Sequence, residues 1–133
     1  MKGWMQQNKR GAAAVEFAIV LPVFVLILLG TIEACSMIFL QQSLEIAAYE
    51  GARVAIVPTT TSSDVESAAN QILTPRHIQN SSISVTPNDF QSAPYGTFVR
   101  VSVSVPCFSN SVIPSSLYGS RTLTGKVEMM KEY

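Results

Sequence analysis

From Phe17 to Leu40 the chain runs for 24 residues with a single charged side chain, Glu33. No other feature constrains the fold as strongly. About 20 apolar residues suffice to cross a bilayer as a helix, because a helix satisfies its own backbone hydrogen bonds where no water can. The stretch is therefore read as a transmembrane span. The partner implied first is a lipid bilayer. Beyond the span and its helical continuation, residues 57–133 are enough for one small domain with a modest core.

Charge gives the span a direction. Residues 1–10 carry Lys2, Lys9 and Arg10 and no acid, whereas the remaining 123 residues hold six bases and nine acids. Basic residues flanking a span favour the cytoplasmic side, which predicts a single-pass protein with its N-terminus cytoplasmic and its C-terminal domain extracytoplasmic. The exported part has no basic excess, so nucleic acid is not an expected partner. Cys35 and Cys107 are the only cysteines and are read as separate thiols; no Cys/His spacing points to a metal.

Helical periodicity continues beyond the span. In "QQSLEIAAYEGARVAIV" and just before it, the residues Met37, Leu40, Leu44, Ala47, Ala48, Gly51 and Ala55 recur every three or four positions, while Gln42, Glu45, Tyr49 and Arg53 lie largely elsewhere. This pattern predicts one long helix over residues 12–56, with Pro22 as the place for a kink and Pro58 beyond its end. Ala48, Gly51, Ala52 and Ala55 form small-xxx-small pairs. They are candidate helix-packing residues that could admit another subunit's helix or, equally, the chain's own sheet.

The domain's own pattern is α+β. Ser63-x-x-Glu66 reads as a capping box opening a short helix, with Val65, Ala68, Ala69, Ile72 and Leu73 as its apolar stripe and Pro75 after it. Three strands are predicted around Ile83 and Val85, around Val99, Val101, Val103 and Val105, and around Leu123, Val127 and Met129. "TPNDFQSAPYG" and "PCFSNSVIPSSLYG" are the intervening loops. The expected architecture is a long N-terminal transmembrane helix running into a small extracytoplasmic domain of one short helix and about three antiparallel strands, one face of the sheet covered by helix.

Glu16 stands where the apolar run begins, in "RGAAAVEFAIVLPVFV". A carboxylate deep in hydrocarbon costs about 2.5–3.5 kcal/mol on insertion scales, so its position asks for a reason. One is that Glu16 lies in the headgroup region beside Arg10. Glu33, about 25 Å further along a helix, is expected at the opposite interface as a solvated acid. His77 sits in a loop with no evident catalytic partner. No nucleophile–base pair, phosphate-cradling glycine loop or metal motif is present, so the chain is read as a non-enzyme without a cofactor.

A basic leader, Gly11, four small or apolar residues, Glu16, Phe17 and a long apolar helix resemble a prepilin-type signal. More specifically, "RGAAAVEFAIVLPVFVLILLGTIEACSMIF" followed by "AAYEGARVA" resembles the TadE-like family, pseudopilins of the tight-adherence (Flp, type IVb) pilus system. That resemblance implies a leader of residues 1–11, cleavage between Gly11 and Ala12 by a prepilin peptidase, and Glu16 and Phe17 as the fifth and sixth mature residues. It further implies other pilin-like subunits and pilus assembly proteins as partners. After cleavage the new α-amine of Ala12 lies one helical turn from Glu16, a pairing that acts on register between packed helices more than on stability. The function expected is a membrane-anchored minor pilin-like subunit supporting pilus assembly. The alternative is an uncleaved bitopic protein whose outer domain is a binding module.

Overall fold

The computed structural model describes residues 3–113 and 120–132, with side chains from residue 11 onward. The charges of Lys2, Lys9 and Arg10, the middle of the second loop and the terminal Tyr133 lie outside the described residues. Helix α1 spans Gly3–Ala55. It begins earlier than the expected residue 12, because "WMQQNKR" contains good helix formers and no proline; a glycine such as Gly11 costs about 1 kcal/mol in a helix interior without stopping propagation. The helix is continuous through Pro22.

The chain divides into two compact units, residues 1–35 and 36–133. The first consists of the N-terminal part of α1, whose apolar side chains from Val15 to Ile32 are exposed. The second is the α+β domain, built on the rest of α1.

Within the second unit, α2 spans Ser62–Leu73, and strands β1 (Ser82–Thr86), β2 (Phe98–Pro106) and β3 (Thr122–Met130) form an antiparallel sheet in the order β1-β2-β3. Period two decides its faces. Val99, Val101, Val103 and Val105 of the central strand are fully buried, with Val85 and Ile83 beside them on β1 and Leu123, Val127 and Met129 on β3. The other face carries Ser82, Ser84 and Thr86, Arg100, Ser102 and Ser104, then Thr124, Lys126 and Glu128. There Arg100 pairs with Glu128 at 3.2 Å and the Ser104 and Thr124 hydroxyls meet at 2.9 Å. Hydroxyls and matched charges suit a wet face, where such cross-strand pairs contribute roughly 0.2–1 kcal/mol each.

The apolar face is covered by α1 and α2. Leu40, Leu44, Ala47, Ala48, Ala52 and Ala55 of α1 join Val65, Ala69 and Leu73 of α2 and Phe90 of the β1–β2 loop in one core. The inward alternation of β3 contains a gap at Gly125, and α1 fills it. A Cβ built on Gly125 would stand 2.6 Å from the Glu45 nitrogen and 2.6 Å from the Leu44 carbonyl oxygen, closer than any side chain allows. Helix and strand backbones touch here only because the residue is glycine.

The start of α2 differs in detail from the sequence reading. The cap is Thr61, not Ser63. Asp64 N donates to Thr61 Oγ1 at 3.3 Å, and Thr61 N donates to Asp64 Oδ2 at 2.8 Å, completing the box. The run "TTTSSDVE" offers both Thr61-x-x-Asp64 and Ser63-x-x-Glu66, and the helix uses the first. After Leu73 the chain closes in a Schellman-type turn. Ile78 N donates to Leu73 O, His77 N donates to Thr74 O, and His77 adopts a left-handed φ of 56°. The lone histidine is thereby accounted for as a helix-terminating residue.

Gly125→Val is expected to lower the denaturation midpoint of the domain sharply, by at least the 1–3 kcal/mol typical of overpacking, because the obstacle is backbone rather than a movable side chain. Denaturant titration of the full-length protein in detergent reads this; an unchanged midpoint contradicts the packing described. The Thr61 hydroxyl, followed by the Thr61 backbone N–H, holds the Asp64 carboxyl below its usual pKa. A depressed folded-state pKa stabilises above the unfolded value, near 3.9, and that contribution is lost as pH falls through the lower folded value. Asp64→Asn should remove this part of the acid loss in a pH series of thermal midpoints. Identical acid limbs for both proteins would refute it.

Candidate functional site

The residues singled out by sequence fall into two groups, one in each unit. Gly11, Ala12, Glu16 and Phe17 all lie on α1 in the first unit and are exposed. Nothing lies within 4 Å of a Cβ built on Gly11, so the helix surface around the expected cleavage point is open. Ala12 and Glu16 are four residues apart on a continuous helix, which places them on one face about a turn apart. An α-amine created at Ala12 would lie within reach of that carboxylate.

Ala48, Gly51, Ala52 and Ala55 lie in the second unit, and all four are buried there. A Cβ on Gly51 would meet Val101 Cγ1 of β2 at 3.1 Å and Val65 Cγ1 of α2 at 3.3 Å. Of the two uses open from sequence, the structure takes the internal one. These small residues let α1 sit closely against its own sheet and α2. The opposite face of this part of α1 is free of the core: Gln42, Glu45, Ile46 and Tyr49 are exposed and, with half-buried Val127 of β3, line an open groove of about 440 Å³. Arg53 pairs with Glu50 at 3.6 Å, a surface contact within one turn.

Glu33 departs from its expected surroundings. It is buried, with 3% of its surface exposed, and is not a solvated acid. Spacing along a helix gives the distance from Glu16 but says nothing about what covers the position. Cys35 is an exposed thiol and Cys107 a buried one, and each is free.

Three further arrangements have no forecast in the sequence. Lys131, just past β3, is buried, and its Nζ donates to the carbonyls of Phe90 and Gln91, both at 3.1 Å. It fastens the β1–β2 loop, whose Phe90 is part of the core. Arg76 Nη1 donates to Ser43 Oγ at 2.7 Å while its guanidinium lies 5.5 Å from the Phe39 ring centroid. Asn110 Oδ1 accepts from Gln79 N, and its Nδ2 donates to the carbonyls of Gln79 and Pro106, joining the loops that follow α2 and β2. The only sequence cue for Phe90 is an aromatic in an otherwise polar loop.

Among the described residues, one helix is long and apolar enough to cross a membrane, and it carries the Gly11–Phe17 segment. That segment, at the start of an apolar helix whose far half forms the core of an α+β domain, is also where the chain has its likeness to known proteins. Residues 11–53 match the TadE-like protein family. The match begins at Gly11 and ends within the last turn of α1, so it covers the apolar run and the small-residue face but not α2 or the sheet. That likeness of residues 11–53 suggests a pilin-like protein associated with tight-adherence pili. No curated protein and no solved structure matches the chain.

The two faces of this part of α1 should respond oppositely to substitution. Ala48→Leu enters a filled core and should cost roughly 1–3 kcal/mol, whereas Tyr49→Ala on the exposed face should stay within about 0.5 kcal/mol. Paired denaturation curves of the two variants check this, and equal effects would contradict the assignment of faces.

Proposed function

We propose that this TadE-like protein is a membrane-anchored pseudopilin, a minor pilin-like subunit that supports assembly of a tight-adherence type IVb pilus. The observation that carries the reading is the family match beginning at Gly11 and running along the same continuous helix as the membrane-span candidate. In this reading α1 anchors the chain in the bacterial inner membrane, with residues 1–10 cytoplasmic and the α+β domain periplasmic. A prepilin peptidase removes residues 1–11. Other pilin-like subunits and pilus assembly proteins are the partners, and the role is structural, with no catalysis and no cofactor.

Glu16 then acts on register. Cleavage places the Ala12 α-amine near the Glu16 carboxylate of the same or a neighbouring helix. Two such charges attract strongly in a low-dielectric surround and are costly apart, so the pairing favours one axial alignment of packed helices. The exposed flank at Gly11 also suits access by a membrane protease, and glycine lowers the helix's resistance to local unwinding at the scissile bond.

Intact-mass measurement of protein extracted from cells with an active prepilin peptidase tests the reading. The mature chain should begin at Ala12, and substitution of Gly11 should preserve the full-length mass. Glu16→Ala should be processed and inserted yet fail to support piliation. A chain that retains residues 1–11 in such cells would instead be an uncleaved bitopic protein with an outer binding domain.

A further inference from the structure

The two ends of the sheet differ in charge. One end carries the turn after α2 (residues 74–81) together with residues 106–113 and 120–121. Throughout residues 74–86 and 105–122 the sequence contains Arg76, His77 and Arg121 and no acid. The opposite end carries the β1–β2 loop and the end of β3, with Asp89, Glu132 and a Glu128 paired with Arg100; its Lys131 is buried and committed to two carbonyls. The start of α2, with Asp64 and Glu66, also lies away from the basic end, since α2 finishes beside it.

Contacts within the domain show which stretch of α1 the basic end adjoins. Arg76 stacks on Phe39 and donates to Ser43, and Gln41 Nε2 donates to Thr124 O near the start of β3. Phe39 and Leu40 are the last residues of the apolar run. The basic end therefore lies at the level where the run gives way to polar sequence. Two aromatics are open to solvent here: Phe39 itself and Phe108, 63% exposed on the short 3₁₀ turn Phe108–Asn110. That turn is held in place, since Asn110 bonds Gln79 and Pro106 and Asn80 Nδ2 donates to Ser109 Oγ at 2.9 Å. On α1, Glu45 accepts from Gln41 at 3.0 Å and Glu33 is buried.

From this juxtaposition we infer that the basic end of the domain is a membrane-contact surface. Phe39 and Phe108 lie in the interfacial layer, and Arg76 and Arg121 meet the phosphates of anionic headgroups. The inference rests on reading α1 as a membrane anchor. Aromatic rings are stable at the headgroup level, where one part of the ring is wet and another dry. Arginine places its stem on apolar groups and its guanidinium on phosphate, and Arg76 is already laid along Phe39 in that manner. Each basic residue near an anionic surface strengthens attraction to it about fivefold, an effect that dies away within a Debye length. A domain so held would present its polar sheet face and the exposed flank of α1 at fixed orientation to the bilayer.

A single tryptophan as a depth probe in the full-length protein tests the inference. The native tryptophan is removed by Trp4→Phe, and Phe108→Trp is compared with Phe24→Trp inside the apolar run and Tyr95→Trp at the acidic end. Each is reconstituted in phosphatidylcholine vesicles with brominated acyl chains, with and without phosphatidylglycerol. The expected result is blue-shifted, bromine-quenched emission from positions 24 and 108 and unquenched emission from 95. Quenching at 108 should be greater with phosphatidylglycerol, and Arg121→Gln should lower the docked-to-undocked ratio about fivefold in those vesicles. Quenching at 24 with none at 108 overturns the inference and leaves that surface to solvent or a protein partner. Quenching indifferent to headgroup charge overturns the role of the arginines. Absence of quenching at 24 overturns the anchor reading itself.

Discussion

The domain depends on one close approach, that of the β3 backbone at Gly125 to the α1 backbone at Leu44 and Glu45. Around it, each element meets α1 through something small. Gly51 lies against Val101 and Val65, and the row Ala47, Ala48, Ala52 and Ala55 keeps the helix narrow. Short side chains bring backbones together, and the larger valines and leucines of β2 and α2 then fill the remaining space to interior density. The second half of α1 is thus a core element of a small domain as well as a continuation of the apolar helix.

This use of the small-residue face limits what the helix can offer to others. Alanines that resemble a packing motif for a second helix are already occupied by the chain's own sheet. Any partner of this part of α1 meets Gln42, Glu45, Ile46 and Tyr49 instead, on the flank beside β3. In the first unit the situation is reversed, with apolar side chains exposed from Val15 to Ile32. Lipid and neighbouring helices both suit that surface, and the proposed register role of Glu16 belongs there.

Much of this fold is legible in the sequence. The alternation of four valines with Arg100, Ser102 and Ser104 marks β2 as half-buried, and the recurrence of small residues every three or four positions marks the buried face of α1. The missing apolar residue between Leu123 and Val127 is the imprint of the helix crossing at Gly125. Features that escape a sequence reading depend on distant partners or on covering groups. Lys131 and Arg76 are fixed by carbonyls and a hydroxyl more than 30 residues away, and such partners leave no local pattern. The burial of Glu33 escapes for the same reason, since axial height is local information and burial is not. The α2 cap falls two residues before its expected place because "TTTSSDVE" satisfies the same local rule twice. At the candidate site, Gly11 and Glu16 are legible as a spacing, and their chemistry depends on a cleavage that the resemblance to prepilin-type signals implies.

The central claim is that one helix has two separable supports, lipid for its first half and the α+β domain for its second. Hydrogen exchange of the full-length protein in lipid nanodiscs, with and without Gly125→Val, tests it most directly. The account predicts that loss of the domain's packing releases the amides of residues 40–55 to exchange while residues 17–35 stay protected by the bilayer. Loss of protection across both stretches together, or free exchange of residues 17–35 in the intact protein, would contradict it.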